Sequence, residues 1–171
     1  MKNTILKYGV YAFITASVLF LGGFLLGKQL DLDFNTMAVF GYASMVLSLV
    51  FVYSGIKHFR DHVNDGKVTL GKAIVIGLLI SLFSAIGFAI VDYIYTTSIN
   101  PNFAVEYKDY TLAQLNEANL SVEELKAKTA ELEASMDMMG SSGFMAFIMF
   151  ATVMIIGFII SLISGLILQR K

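Results

Sequence analysis

The sequence contains no cysteine. Disulfides, thiolate zinc sites and cysteine nucleophiles are therefore excluded. It contains one proline, Pro101, which lies outside every long apolar run. Nothing in those runs removes a backbone amide, so helices can pass through them unbroken. Charge is also scarce. Asp, Glu, Lys and Arg make up 15% of the chain, against about 25% in soluble domains. The formal net charge is −1, which offers no electrostatic reason to bind nucleic acid. What is abundant is apolar surface, at 57% of residues.

That surface is concentrated. Residues 8–27, 36–56, 73–91 and 144–168 contain no Asp, Glu, Lys or Arg. A helix crosses a hydrocarbon core of about 30 Å with roughly 20 apolar residues. A barrel would show alternating segments of about ten residues instead. The fold class expected is all-α: a four-transmembrane-helix bundle with a short helical extracytoplasmic insert between the third and fourth helices. Spans are expected near residues 6–27, 36–58, 70–97 and 143–168, with the insert at about 100–142, all in a single membrane domain over 1–171. The first run exceeds the apolar core of a signal peptide and no small-x-small cleavage site follows it, so a retained span is expected.

Basic residues set the expected orientation. Lys2, Lys7, Lys57, Arg60, Lys67, Lys72, Arg170 and Lys171 would lie on one side, and only Lys28, Lys108, Lys126 and Lys128 on the other. Lys and Arg resist translocation, which predicts a multi-pass protein with both termini cytoplasmic.

The third connection is too polar to span. Asn100-Pro101-Asn102 is a turn signal, and proline ends a preceding helix. Phe103, Tyr107, Tyr110 and Leu115 follow at partly helical spacing. Ser121-Val122-Glu123-Glu124 fits a capping box, with Leu120 and Leu125 at the staple positions. Leu125, Leu132, Met136 and Met139 extend an apolar stripe until Gly140-Ser141-Ser142-Gly143 breaks it. Two short amphipathic helices are predicted, packed on each other or on the bundle rim, with a partner-binding surface as the sharper alternative.

Small residues recur every fourth position: Gly157, Ser161 and Gly165 in the fourth run, and Gly77, Ser81, Ala85 and Ala89 in the third. Such faces let membrane helices approach closely. Packing within the chain is expected, with a homo-oligomer seam as the alternative. Ser84, Ser164 and Thr152 can each bond back to their own helix.

Three patterns resemble chemistry. The segment from Gly66 to Lys72 matches G-x-x-x-x-G-K, but Ala73 stands where a Walker loop needs Ser or Thr. A turn at Asn64-Asp65-Gly66, with Lys67 and Lys72 at the headgroups, is the plainer reading. His58 and His62 share a helix face as metal-binding pairs do, and Asp61 is a candidate third ligand. Lys57 and Arg60 beside them disfavour a divalent cation, so a solvated helix end is expected. Asp92 is the acid most nearly inside the membrane, and such acids are functional candidates. Its helical distance from the basic loop and its neighbours Tyr93 and Tyr95 place it near the outer interface, within reach of Lys28. An ion path is the alternative.

The elements Ile5-Leu6-Lys7-Tyr8-Gly9, Ser54-Gly55-Ile56-Lys57-His58-Phe59-Arg60-Asp61, Gly71-Lys72-Ala73, Asn100-Pro101-Asn102-Phe103 and the tail from Ser161 to Leu168 resemble, in order and spacing, the DUF4199 family. The resemblance implies a four-span bacterial membrane protein and supplies no catalytic residues; the inner membrane is the expected location. No cofactor is implied. The bilayer is the expected environment, and a membrane-protein partner or a second copy the candidate associate. With no paired membrane acids, embedded histidine or activated nucleophile, the sequence favours a non-enzymatic accessory or scaffold subunit of a membrane complex. A small transporter or channel, alone or as a homo-oligomer, is the alternative, although no broken helix or internal repeat supports it.

Overall fold

The structure is a computed structural model that describes residues 1–138 and 141–170. Met139 and Gly140, expected to end the apolar stripe of the insert, lie outside the described residues. Among the described residues six α-helices follow in order: α1 (Lys2–Gln29), α2 (Phe34–His62), α3 (Leu70–Ile94), α4 (Phe103–Glu117), α5 (Val122–Met138) and α6 (Ser142–Leu168). A π-helical turn, Tyr95–Ile99, extends α3. Among the described residues, four helices are long and apolar enough to cross a membrane: α1, α2, α3 with its π turn, and α6.

The helix starts follow from local chemistry. Asp33 caps α2 by accepting the Thr36 amide at 2.9 Å and the Thr36 hydroxyl at 2.7 Å. These bonds hold the Asp33 carboxyl below the usual carboxylate range, the hydroxyl contributing most. Ser141 caps α6 through the Phe144 amide at 3.2 Å. The capping box at α5 is formed. Glu124 accepts the Ser121 amide at 3.0 Å, and Ser121 Oγ accepts the Glu124 amide at 3.3 Å.

The bundle is a four-membered ring in the order α1, α3, α6, α2, with α2 and α3 also touching across its short diagonal. Both termini and the α2–α3 loop share one end, here the terminal end. The α4–α5 hairpin sits at the other, the hairpin end. The α3–α6 contact is the most extensive in the molecule, and small residues make it. A Cβ on Gly77 would lie 2.6 Å from Ser161 Cβ, and one on Gly157 would lie 2.5 Å from Ser81 Cβ. A Cβ on Gly165 would meet Ala73 at 3.2 Å. The helices run antiparallel, so each four-residue step along one matches a step back along the other. Ser161 and Ser81 satisfy their hydroxyls on their own helices, donating to the carbonyls of Gly157 at 2.6 Å and Gly77 at 2.9 Å. This seam is therefore intramolecular.

The other faces use the same device. A Cβ on Gly87 would lie 3.0 Å from the Phe13 carbonyl of α1. Between α2 and α3, Ser48 and Ser84 join hydroxyl to hydroxyl at 2.8 Å, so Ser84 bonds across to another helix and not back to its own. The core between these seams holds Leu49, Val52, Ile56, Ile76, Ile80, Phe88 and Val153, all fully buried. Large apolar side chains face outward, among them Val18, Val39, Phe147, Ile155 and Ile167, each over 60% exposed. Such a surface suits lipid and not water.

At the terminal end, Val68 and Arg170 exchange backbone hydrogen bonds at 3.0 and 2.9 Å, clasping the α2–α3 loop to the chain's end. The turn there has Asp65 at φ 48° and Gly66 at φ 77°, both in the left-handed region that short polar residues and glycine tolerate. The Val68 amide is committed to Arg170, so the Gly66–Lys72 segment does not form an open phosphate cradle.

Candidate functional site

A cavity of about 370 Å³ lies at the hairpin end. Its back wall is aromatic. Phe20 and Phe24 of α1 are packed ring to ring at 4.5 Å, and Phe20 meets Phe88 of α3 at 4.8 Å. Tyr95 lies flat on Phe24 at 4.0 Å with an interplanar angle of 9°. Phe103 of α4 meets both rings edge-on, and Phe34 at the start of α2 contacts Phe103, Tyr107 and Tyr110. This cluster docks α4 on the bundle and roofs the cavity with Phe103, Ala104 and Tyr107. The side walls come from Met37, Gly41, Tyr42 and Met45 of α2, and from Met145, Ile148, Met149 and Thr152 of α6, with Met136 of α5 at the rim. Methionine is flexible and polarisable, so such walls adapt to a guest.

Asp92 is the one ionisable carboxyl among the lining residues. It is 5% exposed, and its Oδ2 has no hydrogen-bond partner among the described residues. A π turn follows Asp92. Thr96 donates to the Asp92 carbonyl at 2.9 Å and Thr97 to the Tyr93 carbonyl at 2.6 Å, while the Asn100 amide reaches the Tyr95 carbonyl at 2.7 Å, closing the wider turn. Insertions of this kind re-aim side chains and recur at functional sites. Here the turn coincides with Tyr95 and Thr96 being buried against the bundle.

Two expectations need correction. Asp92 does not pair with Lys28: Lys28 is exposed and, among the described residues, the ion pair present is Arg60–Asp61. Tyr95 is 2% exposed and stacked inside, whereas its neighbour Tyr93 is 50% exposed. Helical distance alone placed both residues at an outer rim; the docked α4 helix encloses that rim.

His58 and His62 stack at 4.8 Å with an interplanar angle of 18°, and Tyr8 of α1 packs on His58 at 5.5 Å. Asp61 does not join them. Its carboxylate takes both Arg60 Nε at 2.6 Å and Arg60 Nη2 at 3.1 Å. Among the described residues no three His, Cys, Asp or Glu side chains converge on a metal position. Arg60, expected to be solvated, is buried at 8% exposure, and its Nη1 donates to the Leu168 carbonyl at 3.4 Å. A cation there complements the C-terminal end of α6.

The cavity has no plain signature in the sequence. The signal available is the methionines: Met37 and Met45 lie on one face of α2, and Met145 and Met149 on one face of α6.

A family of proteins of unknown function, DUF4199, matches residues 7–170. No curated protein and no solved structure matches the chain.

Proposed function

The chain belongs to the DUF4199 family, and from that premise we propose that it is a non-enzymatic accessory subunit of the bacterial inner membrane whose bundle holds a small, largely apolar guest at the hairpin end. The cavity carries this reading. A volume of about 370 Å³ falls within the usual range for small-molecule sites, roughly 300–1,000 Å³, and its walls are aromatic rings and methionines around few polar atoms. The basic residues at the terminal end favour both termini in the cytoplasm, with the hairpin and the cavity toward the outside.

Thr152 spends its hydroxyl on the Ile148 carbonyl at 2.9 Å, and among the lining residues no base stands beside a nucleophile. A second reading, transport, is favoured by Asp92, since an unpaired intramembrane acid is a natural ion-binding group. The packing below the cavity weighs against it. Leu49, Val52, Ile80 and Val153 are fully buried, so the path toward the terminal end is closed and the seam between α3 and α6 would have to part.

Extraction in mild detergent, followed by identification of co-purifying small molecules and proteins, tests the proposal. Gly41 lines the cavity, and a Cβ added there would make ordinary van der Waals contact with the Phe20 ring at 3.7 Å, so Gly41→Phe places a ring in the guest's space. The parent should retain a small molecule that Gly41→Phe loses. An identical set of bound molecules in both proteins would contradict the reading.

A further inference from the structure

We propose that the guest is an amphiphilic organic monocation, an ammonium group carrying an apolar chain or ring, with Asp92 as its counter-ion. The inference rests on the binding role proposed above and specifies the guest's charge. Asp92 Oδ2 is buried and unpartnered, and the cavity lining contains no Lys, Arg or His to neutralise it. A carboxylate removed from water without a partner is costly, so the site favours whatever supplies positive charge. The surrounding walls suit an organic cation. The rings of Phe20, Phe34, Phe103 and Tyr107 border the same space, and aromatic faces attract ammonium groups, quaternary ones above all.

Other guests fit less well. Calcium or magnesium needs six or more oxygen ligands and zinc about four nitrogen, sulfur or carboxylate ligands, whereas the lining offers one carboxylate, three hydroxyls and no histidine. A phospholipid brings a phosphate for which the lining has no cation. A neutral amphiphile could donate a hydrogen bond to Asp92 but would leave its charge uncompensated. Access is from the flank. Ala38 and Tyr42 of α2 and Ile148 of α6 line the cavity and are also accessible from outside, whereas further down Leu49 comes within 3.6 Å of a Cβ position on Gly157. The two helices therefore part toward the hairpin end, on a face that lipid would cover.

Photoaffinity labelling of the full chain in phosphatidylglycerol nanodiscs tests this. The probes are a diazirine-bearing decyltrimethylammonium and its uncharged decyl alcohol counterpart, with labelled peptides mapped by mass spectrometry. The cationic probe should label peptides holding Met37, Met145 or Met149, and excess decyltrimethylammonium should suppress that labelling. Asp92→Asn should lower it by about tenfold or more, with Asp92→Glu restoring part of it should the asparagine variant prove unstable. Equal labelling of parent and Asp92→Asn by the cationic probe would overturn the proposal, as would preferential labelling by the neutral probe. Suppression by added phosphatidylethanolamine would also overturn it, in favour of a phospholipid guest. Absence of labelling at these peptides by either probe would instead remove the binding role itself.

Discussion

Asp92 shows how far a single residue's position depends on tertiary structure. Its place near one end of α3 follows from helical rise, but its burial does not. Burial arises because Tyr95, Phe24 and Phe103 pack against one another and bring α4 over the rim. An unsatisfied buried polar atom costs about 1–3 kcal/mol. Asp92→Leu should therefore raise the thermal unfolding temperature of guest-free protein in detergent, because it replaces an unpaired acid with an apolar side chain of similar size. A lower unfolding temperature would mean that the carboxyl has a structural partner. Arg60 is the reverse case. Its guanidinium joins the Asp61 carboxylate and the Leu168 carbonyl, so Arg60→Met should loosen the end of α6. Faster hydrogen exchange in the last turn of α6 would reveal this, while unchanged exchange would show the contact to be idle.

At the scale of elements, the α3–α6 seam is the most sequence-legible part of the molecule. Gly157, Ser161 and Gly165 face Ser81, Gly77 and Ala73 because small side chains at four-residue spacing are what lets two membrane helices close up. Ser161 is fully buried. Ser161→Leu should therefore destabilise the bundle by about 1–3 kcal/mol or prevent its assembly, whereas Ser161→Ala should be tolerated. Recovery of folded Ser161→Leu at the parent's yield and stability would place the seam elsewhere. The α5 start is equally readable, since a capping box is local. The Ser121 amide and hydroxyl hold the Glu124 carboxyl below its ordinary value of 4.5. A depressed folded pKa means that the cap's contribution is full above the unfolded value and is lost as pH falls through the folded one. Helicity of α5, followed by NMR chemical shifts, should thus hold above about pH 4.5 and decline below it. Glu124→Gln should flatten that decline, and an unchanged profile would show that another carboxyl governs it. The π turn is less readable. Thr96 and Thr97 bond back to carbonyls of α3, but a hydroxyl can do so in an ordinary helix as well, so sequence alone does not mark the wider turn.

For the whole molecule, four apolar runs separated by polar segments set the span number, because bilayer thickness leaves little freedom in helix length. The ring order α1, α3, α6, α2 and the parting of α2 from α6 are not legible. Both depend on which of several apolar faces meet, and apolar faces carry little identity. The cavity is a product of that arrangement, which is why methionine and phenylalanine positions that look like ordinary core in the sequence become its walls. Orientation is a separate matter, governed by the basic residues at the terminal end. A reporter active only in the cytoplasm should be active when fused after Lys171 and silent when inserted near Glu131. The opposite pattern would reverse the molecule.

Because the chain has no cysteine, single-cysteine variants report on one position at a time without background. Gly41 lines the cavity, and Leu49, two turns along the same helix, is fully buried in the core. The most direct test of an open guest site is the alkylation rate of Gly41→Cys in native membranes by N-ethylmaleimide, compared with that of Leu49→Cys. The account predicts that Gly41→Cys reacts readily while Leu49→Cys stays unmodified until the protein is denatured. If Gly41→Cys is as inert as Leu49→Cys in membranes, and both react after denaturation, the hairpin end is closed and the binding role is contradicted.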